Sequence, residues 1–176
     1  IGGDGHLTAV LTVENELVVF EKSDERWRQT LSAQGFTAPL VAGGRVFLLA
    51  ADRSVLAFDA RTGQKLWSQQ RASDSLVLRE SGVLLAVGNA LVVGLSGKLV
   101  GLNPSNGVVL WEAAISTPRG TNEIERLVDL VAKVSRVGDV VCVRSFQSAV
   151  GCVDAARGRL LWTKTASGSV GLDGDE

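Results

Sequence analysis

The chain has 176 residues, of which 45% are hydrophobic and 21% are charged, and its formal net charge is −1. This composition excludes an intrinsically disordered chain. The balanced charge excludes nonspecific electrostatic binding of nucleic acid. No apolar run reaches the ~18 residues that a membrane-spanning helix requires, and no signal peptide is recognisable at Ile1.

Short apolar runs rich in β-branched residues follow one another along the chain, and Gly, Asn, Asp or Ser separate them. Such runs predict strands. In chain order the predicted strands are 7–13, 17–21, 37–42, 45–50, 54–58, 83–87, 90–94, 98–102, 130–134, 140–144 and 149–153. Many of them are apolar on both faces, which is typical of a sheet that lies between two others.

Residues 122–133 are the only stretch with helical potential, because four apolar side chains would share one helical face. These side chains are Ile124, Leu127, Leu130 and Val131. The same stretch also fits a loop that leads into a strand, which is the interpretation we favour. The sequence therefore predicts an all-β protein.

One sequence motif, which we call the phrase, occurs three times in register. It consists of Asp or Asn, three variable residues, Gly, two variable residues and then Leu-Trp. Its copies are 59–67, 103–111 and 154–162. Trp27 follows a weaker copy that lacks the glycine. The four tryptophans are spaced at 40, 44 and 51 residues. This spacing is the period of a four-stranded β-propeller blade.

Each residue type in the phrase suits a turn that leads into a strand. The Asp or Asn accepts hydrogen bonds from backbone amides of the turn, and the Gly supplies a positive φ. The tryptophan is large enough to fill the gap between packed sheets. We predict one partial propeller domain over 1–176. Its antiparallel blades lie at about 1–34, 35–74, 82–116 and 127–166, with insertions at 75–81 and 117–126.

The repeated phrase resembles the PQQ-like propeller repeat, which quinoprotein dehydrogenases share with non-enzymes. Two inserted segments narrow this resemblance. Residues 75–81 read SLVLRES and residues 120–129 read GTNEIERLVD. They look like the Leu-x-Leu-Arg and Thr-Glu-Ile-Asp-Arg-Leu-x-Asp-x-Asp segments of the BamB family, in that order. That family supplies the lipoprotein subunit of the bacterial complex that assembles outer-membrane β-barrels.

The resemblance covers essentially the whole chain and implies about four blades of an eight-bladed ring. It implies a non-catalytic periplasmic scaffold at the inner face of the outer membrane, held there by a lipid anchor absent from this chain. Its implied partners are the periplasmic domains of the barrel-forming subunit BamA, with unfolded outer-membrane proteins as further candidates.

The family's contact positions, carried over singly, are Leu76, Leu78, Arg79 and Asp129. The second acidic position of the family is Val131 here. Arg79 would therefore face Asp129 alone, with Glu125 as a further candidate.

The residue types alone leave other interpretations of these positions open. Leu76 and Leu78 would share one face of a strand, and they fit a buried core as well as an exposed contact. Arg79 also fits a solvated surface arginine, and Asp129 a turn or surface carboxylate. The assignment to partner binding therefore rests on the family resemblance.

No catalytic or metal-binding constellation is recognisable in the sequence. His6 is the only histidine, and no cluster of His, Cys or carboxylates has the spacing of metal ligands. We therefore expect a non-enzyme without cofactor or metal. The alternatives are a fragment of a PQQ-dependent dehydrogenase, whose calcium and quinone contacts are not visible here, and a sensor propeller with a small ligand.

Cys142 and Cys152 fall in neighbouring predicted strands, and the turn between these strands decides whether they can bond. A two-residue turn at Gln147-Ser148 places the thiols on opposite faces of the sheet. A three-residue turn places them directly opposite each other, and an oxidising compartment would then favour a disulfide. Both alternatives remain open at this point.

Four blades shaped for a larger ring would leave apolar faces on both terminal blades, and such faces are rarely left in water. We therefore expect the 176-residue chain to self-associate. Two arrangements would cover the faces: a half-ring packed on another copy, or two copies joined into a pseudo-complete ring.

Overall fold

A computed structural model of the protein describes residues 1–70, 82–117, 128–169 and 172. These residues form strands and turns without any helix, so within them no helix is available to cross a membrane. The strands make four separate antiparallel sheets of four strands, and each sheet is ordered as in the sequence. The all-β prediction and its four-stranded blades are confirmed.

The first two sheets belong to one compact unit, Ile1–Ala72 with Ser105–Gly107. The first sheet contains β1 (Gly2–Gly3), β2 (Leu7–Leu11), β3 (Glu16–Glu21) and β4 (Asp24–Thr30). The second sheet contains β5 (Leu40–Ala42), β6 (Arg45–Leu49), β7 (Val55–Asp59) and β8 (Lys65–Gln69).

The last two sheets belong to a second compact unit, Ser73–Pro104 with Val108–Glu176. The third sheet contains β9 (Leu84–Val87), β10 (Ala90–Leu95), β11 (Lys98–Leu102) and β12 (Val109–Ala114). The fourth contains β13 (Leu130–Val137), β14 (Val140–Ser145), β15 (Ala149–Asp154) and β16 (Arg159–Thr165). Because β13 starts at Leu130, the helical alternative is wrong for residues 130–133.

The middle strands are buried on both faces, which explains their apolar runs. In β3 the consecutive residues Leu17, Val18 and Val19 are all buried, although neighbours in a strand point to opposite faces. Each unit has its own apolar core, built around Leu48 and Phe58 in the first and around Val92 and Val143 in the second.

The Asp of the repeated phrase organises the turn ahead of the tryptophan, as predicted. Asp59 Oδ1 accepts hydrogen bonds from the backbone amides of Arg61 and Thr62 at 3.0 and 2.8 Å. Asp154 Oδ1 accepts one from the Arg157 amide at 3.1 Å. The phrase glycines have φ values of 73°, 74° and 66°. These are Gly63, Gly107 and Gly158.

Each phrase glycine also lies against the tryptophan of the preceding repeat. A Cβ added to Gly63 would stand 2.6 Å from Trp27 Cδ2. The corresponding distances are 2.7 Å from Gly107 to Trp67 Cε3 and 2.2 Å from Gly158 to Trp111 Cγ. The Trp27 Nε1 donates to the Ala60 carbonyl at 2.9 Å, one residue after Asp59. The glycine is therefore required by packing as well as by its backbone angle.

The leucine of the phrase lies in a β-bulge. In the second sheet Trp67 pairs with Ala57 and Lys65 pairs with Phe58, which leaves Leu66 without an opposite residue. The same irregularity occurs at this place in all four sheets. Leu66, Leu110 and Leu161 are 43%, 52% and 39% exposed. A bulge re-aims a side chain, and here it keeps the repeated leucine out of the core.

Gly63→Ala should destabilise the protein more than Gly44→Ala does. The two glycines have φ values of 73° and 72°, so alanine meets similar backbone strain at both positions. A Cβ at Gly44 meets nothing within 4 Å, whereas one at Gly63 overlaps the Trp27 ring. We expect Gly63→Ala to reduce the free energy of unfolding by about 2 kcal/mol more, measured by chemical denaturation. Equal losses would contradict the packing role of Trp27.

The stability of the Asp59 turn should depend on pH. Hydrogen bonds from Thr62 and Arg61 hold the pKa of Asp59 below its usual value of 3.8. A lowered folded pKa stabilises the fold above the unfolded-state pKa, and this stabilisation is lost as the pH falls through the folded pKa. Asp59→Asn keeps an acceptor oxygen, as Asn103 does in the next phrase, but cannot titrate.

We therefore expect Asp59→Asn to melt at a lower temperature than the unmodified protein at pH 7. The difference should shrink as the pH falls below about 4, where the unfolded chain begins to bind a proton at Asp59, and should be lost once the pH is below the lowered pKa of the folded protein. Thermal melts between neutral and acidic pH measure this. A difference that stays constant over the whole range would show that the charge of Asp59 contributes nothing.

Candidate functional site

Of the four predicted partner-binding residues, Asp129 lies within the described part of the chain. Leu76, Leu78 and Arg79 lie outside the described residues. Asp129 immediately precedes β13 and is only 9% exposed. The alternative of a surface carboxylate is therefore wrong, whereas that of a turn carboxylate stays open. Burial of a carboxylate is costly unless polar groups compensate for it, so Asp129 belongs to an organised part of the fold.

The turn between β14 and β15 holds the backbone just before β13. Ser145 Oγ donates to the Val128 carbonyl at 2.7 Å, and the Phe146 amide donates to the Asp129 carbonyl at 2.9 Å. Ser145 itself is fully buried. Val128 also lies against Gly97, where an added Cβ would stand 2.9 Å from Val128 Cγ2. Asp129 is thus positioned by contacts with turns that are distant in sequence.

The β14–β15 turn contains three residues, 146–148, and Gln147 at its centre has a φ of 47°. This length places Cys142 directly opposite Cys152, and the two form a disulfide. The two-residue alternative is therefore wrong. On the other side, Cys152 pairs with Trp162 of β16. The bond crosses the two middle strands of the fourth sheet.

The residue that replaces the second family carboxylate is part of the core. Val131 is 1% exposed and pairs with Arg144 of β14. Val131 also forms an isolated antiparallel bridge with Gly82, the first described residue after 71–81. The bridge brings the chain that follows Arg79 to a point two residues after Asp129.

An open cleft of about 720 Å³ in the first unit contains several charged side chains. Asp4 Oδ1 accepts hydrogen bonds from the amides of His6 and Leu7, both at 2.9 Å. Glu21 forms an ion pair with Arg26, which lowers the pKa of that carboxyl. These carboxylates are engaged in local structure. Within the described ranges no group of three His, Cys, Asp or Glu side chains is placed to hold a metal ion.

A family model described as outer membrane protein assembly factor BamB matches residues 1–176. The chain belongs to the BamB family. The BamB protein of Bordetella pertussis is 33% identical over 97% of this chain and 45% of its own length. The BamB protein of Burkholderia pseudomallei is 35% identical over 100% of this chain and 47% of its own length. The chain thus spans about half the length of these curated BamB relatives.

Solved structures give the same fold. The crystal structure of BamB from Moraxella catarrhalis matches 97% of this chain and 53% of its own chain, with a TM-score of 0.86 and 18% identity. A europium-containing methanol dehydrogenase matches 93% of this chain and 40% of its own, with a TM-score of 0.72 and 13% identity. At these identities the likeness shows the β-propeller fold alone. Assignment to the BamB family rests on the sequence match.

Proposed function

We propose that this chain is part of a non-catalytic periplasmic scaffold that supports the assembly and insertion of outer-membrane β-barrel proteins. The observation that carries the proposal is the BamB family match over all 176 residues. The curated relatives are named outer membrane protein assembly factors, which supports a place on the inner face of the outer membrane of a Gram-negative bacterium. The proposed activity is that of the whole relatives, and this chain spans about half of their length.

In this proposal Leu76, Leu78, Arg79 and Asp129 bind the periplasmic domains of BamA. The antiparallel bridge between Gly82 and Val131 joins the two segments that carry these residues. Because residues before Gly82 and residues before Val131 leave an antiparallel bridge in opposite directions, the pairing of Arg79 with Asp129 is proposed from the family resemblance and not from the bridge. The pairing would be a charge-assisted hydrogen bond.

We propose no catalytic role for Asp59, Asp154 and Glu21, because these carboxylates already stabilise turns or an ion pair. Asp59 and Asp154 accept hydrogen bonds from their own turns, and Glu21 is paired with Arg26. Contact with unfolded outer-membrane proteins and self-association of the 176-residue chain remain predictions of this proposal.

Replacing Leu76 and Leu78 by serine, or Arg79 by alanine, should weaken binding to the BamA periplasmic domains. Exposed apolar anchors beside a charged pair are typical interface hot spots, and each truncation costs about 2 kcal/mol or more. The expected rise in the dissociation constant is about thirtyfold, measured by titration calorimetry with the full-length protein.

Leu110→Ser is the matched control, because Leu110 is an exposed leucine in the bulge of the third sheet. The same chemical change there should leave the affinity unaltered. Unchanged binding of the Arg79 and Leu76/Leu78 variants would reject the assignment. A large fall in the melting temperature of the Leu76/Leu78 variant would instead assign these leucines to the core.

Addition of PQQ and calcium should produce no quinone binding and no turnover. The dehydrogenase likeness extends to the fold alone, and chemistry depends on the site rather than on the fold. Visible absorbance reports quinone uptake, and dye reduction with alcohols reports activity. Stoichiometric uptake accompanied by dye reduction would contradict the scaffold proposal.

A further inference from the structure

The disulfide occupies a position that is filled by packing alone in the other described sheets. The two middle-strand residues in register with the tryptophan are Ala9 and Val19 in the first sheet, Phe47 and Ala57 in the second, and Val92 and Gly101 in the third. In the fourth sheet they are Cys142 and Cys152, in register with Trp162. At the equivalent positions of the other three sheets, the two middle-strand residues carry no cross-link. The disulfide is thus an addition in the fourth sheet.

The cross-linked hairpin ends in the turn that holds Asp129. Cys142 lies three residues before Ser145, which donates to the Val128 carbonyl. The next residue, Phe146, donates its amide to the Asp129 carbonyl at 2.9 Å. The same turn is fixed on its other side, where the Gln147 amide donates to the Gly168 carbonyl at 2.8 Å. Any movement of the hairpin tip is therefore transmitted to the backbone of Asp129.

The start of β13 depends on this hairpin more than a regular strand would. Leu130 and Val131 pair with Ser145 and Arg144, and the register then shifts before pairing resumes at Ser135. Because of this irregularity, the first residues of β13 are held to β14 by two residue pairs and the turn hydrogen bonds. A covalent tie between β14 and β15 limits fraying of the tip that supplies these contacts.

We propose that the Cys142–Cys152 disulfide positions Val128 and Asp129 for partner binding, so that the affinity of this surface depends on the oxidation state of the two cysteines. This inference rests on the proposed function. Cys142 and Cys152 act as positioning residues, because they act through the turn and not by touching the partner.

The Cys142–Cys152 bond can form by thiol–disulfide exchange with an oxidised thiol oxidoreductase. Cys142 and Cys152 together release two protons and two electrons when their sulfurs join. The disulfide of a thiol oxidoreductase takes up both and becomes a dithiol. An oxidising compartment such as the periplasm supplies this class of oxidant. The protein is therefore a substrate for oxidative maturation before it binds its partner at full affinity.

The test compares the oxidised full-length protein with the double variant C142A/C152V. This variant reproduces Ala9 and Val19 of the first sheet, so it removes the cross-link and keeps a packing pair that the chain already uses. Affinity for the isolated BamA periplasmic domains is measured by calorimetry, with and without dithiothreitol. Reduced wild-type protein, checked by circular dichroism, provides a second comparison should the variant fail to fold.

We expect the variant and the reduced wild type to bind about fivefold more weakly, as when about one molecule in five retains the competent arrangement. Reoxidation should restore the wild type, and the variant should not respond to reductant. Hydrogen exchange of the Phe146 amide should become faster. The Leu31 amide, which donates to the Asn15 carbonyl at the equivalent turn of the first sheet, should be unaffected.

Different outcomes would overturn the disulfide proposal and the proposed function. If Arg79→Ala weakens binding but C142A/C152V and the reduced protein bind like the oxidised wild type, the disulfide proposal is overturned and the proposed function stands. If Arg79→Ala and Asp129→Asn both leave the affinity unchanged, the partner site is elsewhere and both proposals are overturned.

Discussion

The contact between a tryptophan and the glycine of the next repeat, made by Trp27, Trp67 and Trp111, is the constraint on which the rest of the structure depends. It requires a residue that has positive φ and lacks a Cβ, and Gly63 against Trp27 shows both requirements together. The preceding aspartate closes the turn that presents this glycine. A buried tryptophan contributes some 150–250 Å² of contact area, so one phrase sets both the turn and the packing.

The sequence allowed the strands, the turn aspartates and the left-handed glycines to be predicted, because these follow from local periodicity and turn chemistry. It did not reveal that Leu66 is exposed, because the bulge interrupts the alternation on which such a prediction relies. The sequence left the Cys142–Cys152 disulfide undecided, because a difference of one residue in the length of the β14–β15 turn determines whether the two cysteines face each other. The burial of Asp129 depends on Ser145 and Phe146, which no local pattern connects with it.

The candidate site lies in turns of a fold that is shared with proteins of other functions. The described sheets resemble those of dehydrogenases as well as those of BamB, and their turns are the variable parts. In the second unit, one such turn fixes the backbone of Asp129, and the bridge at Val131 brings the chain after Arg79 beside it. Under the proposed function, these contacts would join segments far apart in sequence into one binding surface.

We propose that Arg79 and Asp129 act as one unit in partner binding. A double-mutant cycle with Arg79→Ala and Asp129→Asn in the full-length protein tests it, with affinity for the BamA periplasmic domains as the readout. We expect the double variant to bind about as weakly as either single variant, with a coupling energy of about 1 kcal/mol or more. Losses that simply add would show that the two side chains act independently and that they do not form one unit.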